Sequence, residues 1–199
     1  MTDFSSIFSL ALGLVASGDG ELYSIIGLSL RVTLTAVAIG CVVGLPLGAF
    51  LAVVRFPGNA ALTALLNAFM GLPPVVVGLA VYLMLSRAGP LGVLGLLYTP
   101  TAMIIAQAVL VTPLIAALAR QSLADLHIEY DELFRSLGLS TRAKIATLIW
   151  DGRYSLTTAA LAGFGRAIAE VGAVIIVGGN IEHRSEERRV GKECRSRWS

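Results

Sequence analysis

Long apolar runs separated by short polar segments dominate the chain. Four runs are long enough to form membrane spans, at residues 24–54, 60–86, 101–122 and 155–178, because a helix needs about 20 apolar residues to cross the hydrocarbon core. The apolar stretch at residues 4–17 is too short to span comfortably. Residues 1–21 are therefore predicted to be an N-terminal interfacial segment, and the whole chain an all-α integral membrane protein.

Glycine and proline give two of these spans additional features. Gly40, Gly44 and Gly48 recur every four residues in the first span, a spacing that allows close contact between membrane helices. Pro73 and Pro74 interrupt the second span and remove helix hydrogen bonds there. Such breaks persist where protein or a cavity satisfies the freed backbone groups, so a packed kink and a bend lining a substrate path are both open interpretations.

Composition and charge support a membrane protein and orient it. Charged residues make up 14% of the chain, against about 25% in soluble domains. The loop at residues 87–100 carries only Arg87, whereas the other side carries Arg55, Arg120, Arg135, Arg142, Lys144 and Arg153. Cytoplasmic loops are rich in Lys and Arg, so the loop 123–154 is predicted to be cytoplasmic and the N-terminus to lie outside.

The most polar internal stretch, residues 129–151, reads EYDELFRSLGLSTRAKIATLIWD and has amphipathic helical spacing. Gly138 is predicted to end a short helix, since glycine readily takes a positive φ at a helix C-terminus. Leu133, Phe134 and Leu137 give that helix an apolar stripe, which predicts a docking surface for a soluble partner. An ordinary amphipathic loop helix is the alternative interpretation.

The spacing of Glu132, Gly138 and Leu148 resembles the EAA signature of ABC importer permeases. Two departures are present: Leu133 and Phe134 stand at the alanine positions, and Trp150-Asp151 stands at the final Leu-Pro. The resemblance implies that residues 123–154 form the coupling loop gripped by a cytoplasmic ATPase. Glu132, Leu133, Phe134, Gly138 and Leu148 are then the expected ATPase-coupling residues.

The segment Gly163–Asn180, with Arg166-Ala-Ile-Ala-Glu170-Val-Gly-Ala, resembles the molybdate, sulfate and tungstate branch of these permeases, and most of all the tungstate type. The resemblance spans residues 20–183 and implies a type I ABC importer transmembrane domain at residues 22–183. It also implies a homodimer, cytoplasmic ABC ATPase subunits, an extracytoplasmic oxyanion-binding protein and the cytoplasmic membrane of a bacterium or archaeon. Tungstate is the expected substrate, with molybdate or sulfate as alternatives. A further span is expected after Asn180 and is missing here.

Ionisable residues inside spans are costly and are usually paired or face a cavity. Arg166 and Glu170 lie four residues apart and share one helix face, so they form either an ion pair that fixes the helices or a polar patch that meets the oxyanion. Arg31 either extends to the interface or contacts the anion. Together with Pro73 and Pro74, these residues are the candidates for a translocation path or gate.

The motifs of several other function classes are missing from the sequence. It contains no GxxxxGK[ST], no HExxH and no Cys/His spacing typical of metal sites. We therefore expect no catalytic residue, no metal and no bound cofactor, with ATP used by the partner ATPase. Membrane lipid is an expected partner and nucleic acid is not. A membrane-embedded enzyme is the less favoured class, and a purely structural anchor is a third.

The last sixteen residues, Arg184–Ser199, differ in composition from the rest. They contain six of the fifteen basic residues and three of the thirteen acidic ones. The string RSEERRVGKECRSRWS resembles a translated sequencing adapter. We expect this tail to be an artefact and the native sequence to depart from this one near His183.

Overall fold

The structure is a computed structural model that describes residues 20–170 and 177–178. The predicted interfacial helix at 4–17, residues 179–183 and the tail 184–199 lie outside the described residues. The described part is helical, apart from turns and connecting segments. Its helices are α1 (Gly20–Val53), α2 (Asn59–Met70), α3 (Pro74–Leu85), α4 (Pro100–Glu129), α5 (Asp131–Ser136), α6 (Thr141–Asp151) and α7 (Arg153–Ala169), with a 3-10 turn at Gly92–Leu94.

Two helices of the described part, α1 over Tyr23–Val53 and the whole of α4, are long and apolar enough to cross a membrane, and α2 with α3 make a third if that bent pair is one span. These helices fall on the first three predicted spans. α4 continues to Glu129, beyond the predicted end of its span at residue 122.

The second predicted span, 60–86, is a pair of helices bent by 101° rather than one kinked helix. Gly71 ends α2, and its N–H bonds the carbonyls of Ala68 and Phe69. Pro73 is extended, with φ −61° and ψ 132°, and Pro74 begins α3, a position where the missing proline N–H costs nothing. Pro73 is exposed and Pro74 is half-buried in this chain, so the packed kink and the bend lining a substrate path both stay predictions.

α4 forms the centre of the fold, between α1 and α7. The predicted glycine face of α1 is confirmed: a Cβ at Gly48 would lie 2.5 Å from the Ala116 carbonyl oxygen and 2.8 Å from the Ala119 Cβ. On the other side, a Cβ at Gly163 would lie 2.7 Å from the side chain of Ile115. These small residues bring the three helix backbones close together, as expected for helices packed in lipid.

The fourth predicted span, 155–178, differs from the observed helix, because α7 ends at Ala169. Glu170 leaves the helical conformation, with φ −89° and ψ 73°, and its N–H bonds the Ala167 carbonyl three residues back. Residues 171–176 lie outside the described part. Val177 and Gly178 are helical and buried, and Val177 packs with the core residues of α3 and α4.

Candidate functional site

The short helix α5 lies where the polar segment was predicted to carry its coupling helix. Gly138 ends it in the left-handed region, with φ 59°, so the predicted positive φ is confirmed. The Gly138 N–H bonds the Arg135 carbonyl at 3.2 Å, and the Leu139 N–H bonds the Phe134 carbonyl at 3.2 Å. This pair of bonds is a Schellman motif, which satisfies two of the carbonyls left free at a helix end.

Phe134 faces the inside of the chain and anchors α5. It is 1% exposed. Its ring stacks on His127 with the centroids 6.0 Å apart and meets Tyr130 edge-on at 5.8 Å. The Lys144 ammonium lies 5.9 Å from the ring centroid, within the range of a cation–π contact. A single side chain thereby joins the end of α4, α5 and α6.

Leu148 gives α6 a second anchor. The Ser140 side chain caps α6 by accepting a hydrogen bond from the Ala143 N–H at 3.4 Å, which fixes where the helix begins. Leu148 is fully buried. It belongs to a core cluster that joins α5 and α6 to the long helices. The buried members of this cluster are Ala49, Ala119, Leu123, Phe134, Leu148 and Leu156. Through this cluster, α5 and α6 are packed with α1, α4 and α7.

The exposed side of α5 presents Glu132, Leu133 and Leu137, which we call the docking patch. Leu133 is 53% exposed and Leu137 is 61% exposed, and Glu132 is exposed beside them. The predicted apolar stripe is thus divided between two faces. Phe134 and Leu148, which were predicted to couple to a partner, are instead buried within the chain, so they are not part of the exposed patch.

Arg166 and Glu170 form an ion pair, with Nε and Oε1 2.6 Å apart and side-chain exposures of 39% and 12%. The structural interpretation of these residues as a mutual pair is confirmed by this geometry. The pair lies at the end of α7, where the helical hydrogen bonding stops. A partly accessible guanidinium beside a nearly buried carboxylate gives a polar spot in a largely apolar part of the chain.

Gln107, buried in α4, completes this polar spot. Its Nε2 donates a hydrogen bond to the Ala167 carbonyl at 3.3 Å, so a side chain of α4 caps the C-terminal end of α7. The Gln107 Oε1 is buried and has no hydrogen-bond partner among the described residues. Most buried polar atoms have a hydrogen-bond partner, so the free Gln107 Oε1 sets this spot apart from the apolar core around it.

The remaining candidates for the path are not joined to this pair. Arg31 is exposed on α1, and its carbonyl accepts a hydrogen bond from the Thr35 hydroxyl at 2.7 Å. Within residues 20–170, no ion pair or hydrogen bond links Arg31, Pro73 or Pro74 to Arg166 or Glu170. The structure therefore brings together two of the five candidate path residues.

Sequence reasoning missed the residues that hold the site in place. His127, Tyr130 and Lys144 surround Phe134, and Gln107 caps α7. The position of His127 and Tyr130 at the polar end of an apolar run was the only sequence signal that could have pointed to their contact with Phe134. Nothing in the sequence pairs Gln107 with a carbonyl sixty residues away, because that contact depends on how α4 and α7 cross.

Comparisons with known proteins agree with this architecture. Residues 44–180 match the family described as binding-protein-dependent transport system inner membrane component. The chain is 43% identical over 175 residues to the tungstate uptake system permease protein TupB of Peptoclostridium acidaminophilum, a match that covers 88% of this chain and 77% of that protein.

Two further relatives extend the comparison. A probable anion ABC transporter permease protein of Haloferax volcanii is 42% identical over 161 residues, 80% of this chain and 69% of that protein. The sulfate transport system permease protein CysW of Synechocystis is 29% identical over 177 residues, 83% of this chain and 63% of that protein. With its long apolar helices, the chain is a multi-pass membrane protein that belongs to the family of binding-protein-dependent transport system inner membrane components.

Proposed function

We propose that this chain is the permease subunit of an ATP-driven importer that carries tungstate into the cell. The observation that carries the proposal is the construction of α5: its exposed face bears the docking patch, while its buried face is anchored on α1 and α4 through Phe134. A surface helix with this division can transmit the motion of a docked partner to the long helices. Membership of the family and the tungstate uptake permease among the relatives support it.

In this proposal the soluble partner is an ABC ATPase subunit, and ATP is bound and hydrolysed there. Leu133 and Leu137 insert into an apolar groove of the ATPase, and the Glu132 carboxylate fixes the orientation of the helix. Phe134 and Leu148 then pass the displacement to α4 and α1. This chain binds no cofactor of its own.

The translocation path would run between two copies of the chain, with an extracytoplasmic binding protein delivering the oxyanion. We assign the Arg166–Glu170 pair to a gate: while Glu170 neutralises Arg166, the guanidinium is a weak ligand for an anion, and movement of α7 would release it. Arg31, Pro73 and Pro74 remain candidates for the wall of the path. The N-terminus outside and the coupling loop in the cytoplasm follow from the distribution of basic residues.

The identity of the oxyanion follows from the relatives. Tungstate is favoured because two tungstate uptake permeases match at 43% and 37% identity. Sulfate is the second candidate, since sulfate permeases match at 27–30% identity. Molybdate has nearly the size and charge of tungstate and stays an alternative within the same branch.

Co-purification tests the coupling proposal. The full chain is co-expressed with its ATPase subunit, and the amount of ATPase recovered with it is measured for wild type and for Leu133→Asp/Leu137→Asp. We expect the double variant to lose the ATPase, because two carboxylates cannot enter an apolar groove without a large desolvation cost. A matched control, Leu91→Asp/Leu94→Asp, alters exposed leucines of the opposite loop and should retain it. Full recovery of the ATPase by the α5 variant would sink the proposal.

Uptake competition tests the substrate. Cells that lack other tungstate transport and express the complete importer are supplied with tungstate, and tungsten accumulation is measured by mass spectrometry. Excess molybdate and excess sulfate are added in separate arms. We expect accumulation that depends on this chain and resists excess sulfate. Accumulation abolished by equimolar sulfate would assign the importer to sulfate instead.

A further inference from the structure

A groove beside the α1–α2 turn collects positive charge and hydrogen-bond donors. It has a cavity volume of about 530 Å³ and lies between the turn, α2 and α4. Its polar lining residues are Arg55, Asn59, Thr63, Asn67 and Arg120, and no carboxylate of the described residues lines it. It lies near the core cluster that contains Phe134, because Arg120 directly follows Ala119, a member of that cluster.

The arginines of this groove are unpaired. Among the described residues, the two ion pairs involve neither Arg55 nor Arg120. The Arg120 Nε is buried and has no hydrogen-bond partner in that part of the chain. Leaving a buried charged donor unsatisfied is costly, and the cost is relieved when an anion accepts its hydrogen bond. Arginine presents parallel N–H groups that match an oxyanion in a two-pronged contact.

The first turn of α2 adds donors to the same groove. Gly58 precedes the helix with φ 108°, and no side chain caps the helix start. Ala60, in the first turn, lines the groove. The Asn59 N–H already donates to the Phe56 carbonyl at 3.1 Å, so the donors that this turn can offer are the N–H groups that follow it, and a helix N-terminus favours a bound anion. Two arginines, one with a buried unsatisfied Nε, and an uncapped helix start therefore converge on one cavity.

A polar stripe leads from the groove along α2. Asn59, Thr63 and Asn67 follow each other at four-residue spacing, and the Thr63 hydroxyl donates to the Asn59 Oδ1 at 3.4 Å. Asn59 is also fixed by its Nδ2, which donates to the Val54 carbonyl at 2.7 Å. Asn67 is exposed in the chain. Polar residues within membrane helices face a bundle interior or a water-filled cavity rather than lipid tails, so the stripe marks a hydrated face.

We propose that this groove binds a tetrahedral oxyanion group, held by Arg55, Arg120 and the N-terminal turn of α2. The group belongs either to the transported anion on the inner side of the gate or to the phosphate of an anionic lipid. The transported anion as the source rests on the proposed import function, whereas the binding of an oxyanion in the groove does not depend on that function. The site is separate from the Arg166–Glu170 pair, in which the arginine is already neutralised.

The test uses the full chain with its co-expressed ATPase in lipid nanodiscs. In one arm the nanodiscs contain only phosphatidylcholine, and the affinity for sodium tungstate is measured by calorimetry. In the other arm they contain phosphatidylglycerol, and retained lipid is counted by native mass spectrometry. Wild type is compared with Arg55→Gln/Arg120→Gln. The matched control is Arg87→Gln, an exposed arginine of the opposite loop.

We expect the double variant to lose at least about ten-fold in affinity in the arm that holds the true ligand, since charge-assisted hydrogen bonds are the strong ones. The control should behave as wild type. Weaker tungstate binding assigns the site to the free anion, and loss of retained phosphatidylglycerol assigns it to lipid. No change in either arm overturns the site. If the double variant does not assemble, the single variants Arg55→Gln and Arg120→Gln are tested instead, and the same outcomes apply.

These results are independent of the coupling test. A complex that keeps its ATPase but shows unchanged anion binding in the double variant would contradict the groove and leave the import proposal standing. A chain that binds tungstate through Arg55 and Arg120 but never recovers an ATPase would support the groove and contradict the import proposal.

Discussion

Replacing Phe134 with alanine should detach α5 from the rest of the chain without touching the docking patch. Phe134 is 1% exposed, and removing a buried phenylalanine side chain costs about 3–5 kcal/mol. α5 has six residues and cannot be stable alone, since isolated helices shorter than about 12–15 residues are marginal in water. The full cost therefore falls on the local opening of this helix.

Amide hydrogen exchange measures that opening directly. The Phe134 and Leu137 amides bond the Tyr130 and Leu133 carbonyls at 2.9 and 3.1 Å, and the Leu139 amide closes the helix end at 3.2 Å. Each 1.4 kcal/mol is a factor of ten, so Phe134→Ala should speed their exchange by roughly a hundred-fold or more. The control Leu133→Ala, at a half-exposed position, should exchange as wild type. Wild-type exchange in the Phe134 variant would refute the role of Phe134 as the anchor of α5.

Three further changes test the fold around the site. Gly48→Leu should reduce the thermal stability of the purified protein, because overpacking costs about 1–3 kcal/mol; Gly27→Leu, with nothing within 4 Å of its added Cβ, should not, and equal melting temperatures would refute the close α1–α4 contact. Gly138→Ala should destabilise the end of α5 by about 1–2 kcal/mol, because alanine disfavours the positive φ at this position, and should reduce the amount of ATPase recovered. Full recovery of the ATPase would count against a role of this helix end in docking. Gln107→Leu should remove the hydrogen bond from α4 to the Ala167 carbonyl and leave that carbonyl with only the Glu170 N–H, at 3.4 Å. Proteolysis near the end of α7 should become faster, and unchanged cleavage would contradict the cap.

The pattern of apolar residues predicted the long helices, because an apolar run of that length is enough to indicate a membrane-spanning helix. It predicted the end of α5 as well, since Gly138 is a local signal. It did not predict which side of α5 faces inward. Leu133, Phe134 and Leu137 are all apolar, and only the tertiary contacts of Phe134 with His127 and Tyr130 select the buried one.

Two differences have the same physical origin. Pro73 and Pro74 indicate that a helix ends, but the 101° angle between α2 and α3 depends on how α3 packs on α4. The apolar run 155–178 continues past Glu170, whereas α7 ends at Ala169, beside the Ala167 carbonyl that Gln107 of α4 bonds. The groove at Arg55 and Arg120 was not predicted either, because these arginines are far apart in sequence and only tertiary packing brings them together.

Photocrosslinking tests the central claim most directly. A benzophenone amino acid is placed at position 137 of the docking patch, at position 134 on its buried side, or at position 93, whose valine is 98% exposed in the opposite loop. The importer is then irradiated with its ATPase bound. We predict a crosslink from position 137 to the ATPase and none from position 93. An ATPase that stays bound but does not crosslink to position 137 would contradict α5 as the coupling helix.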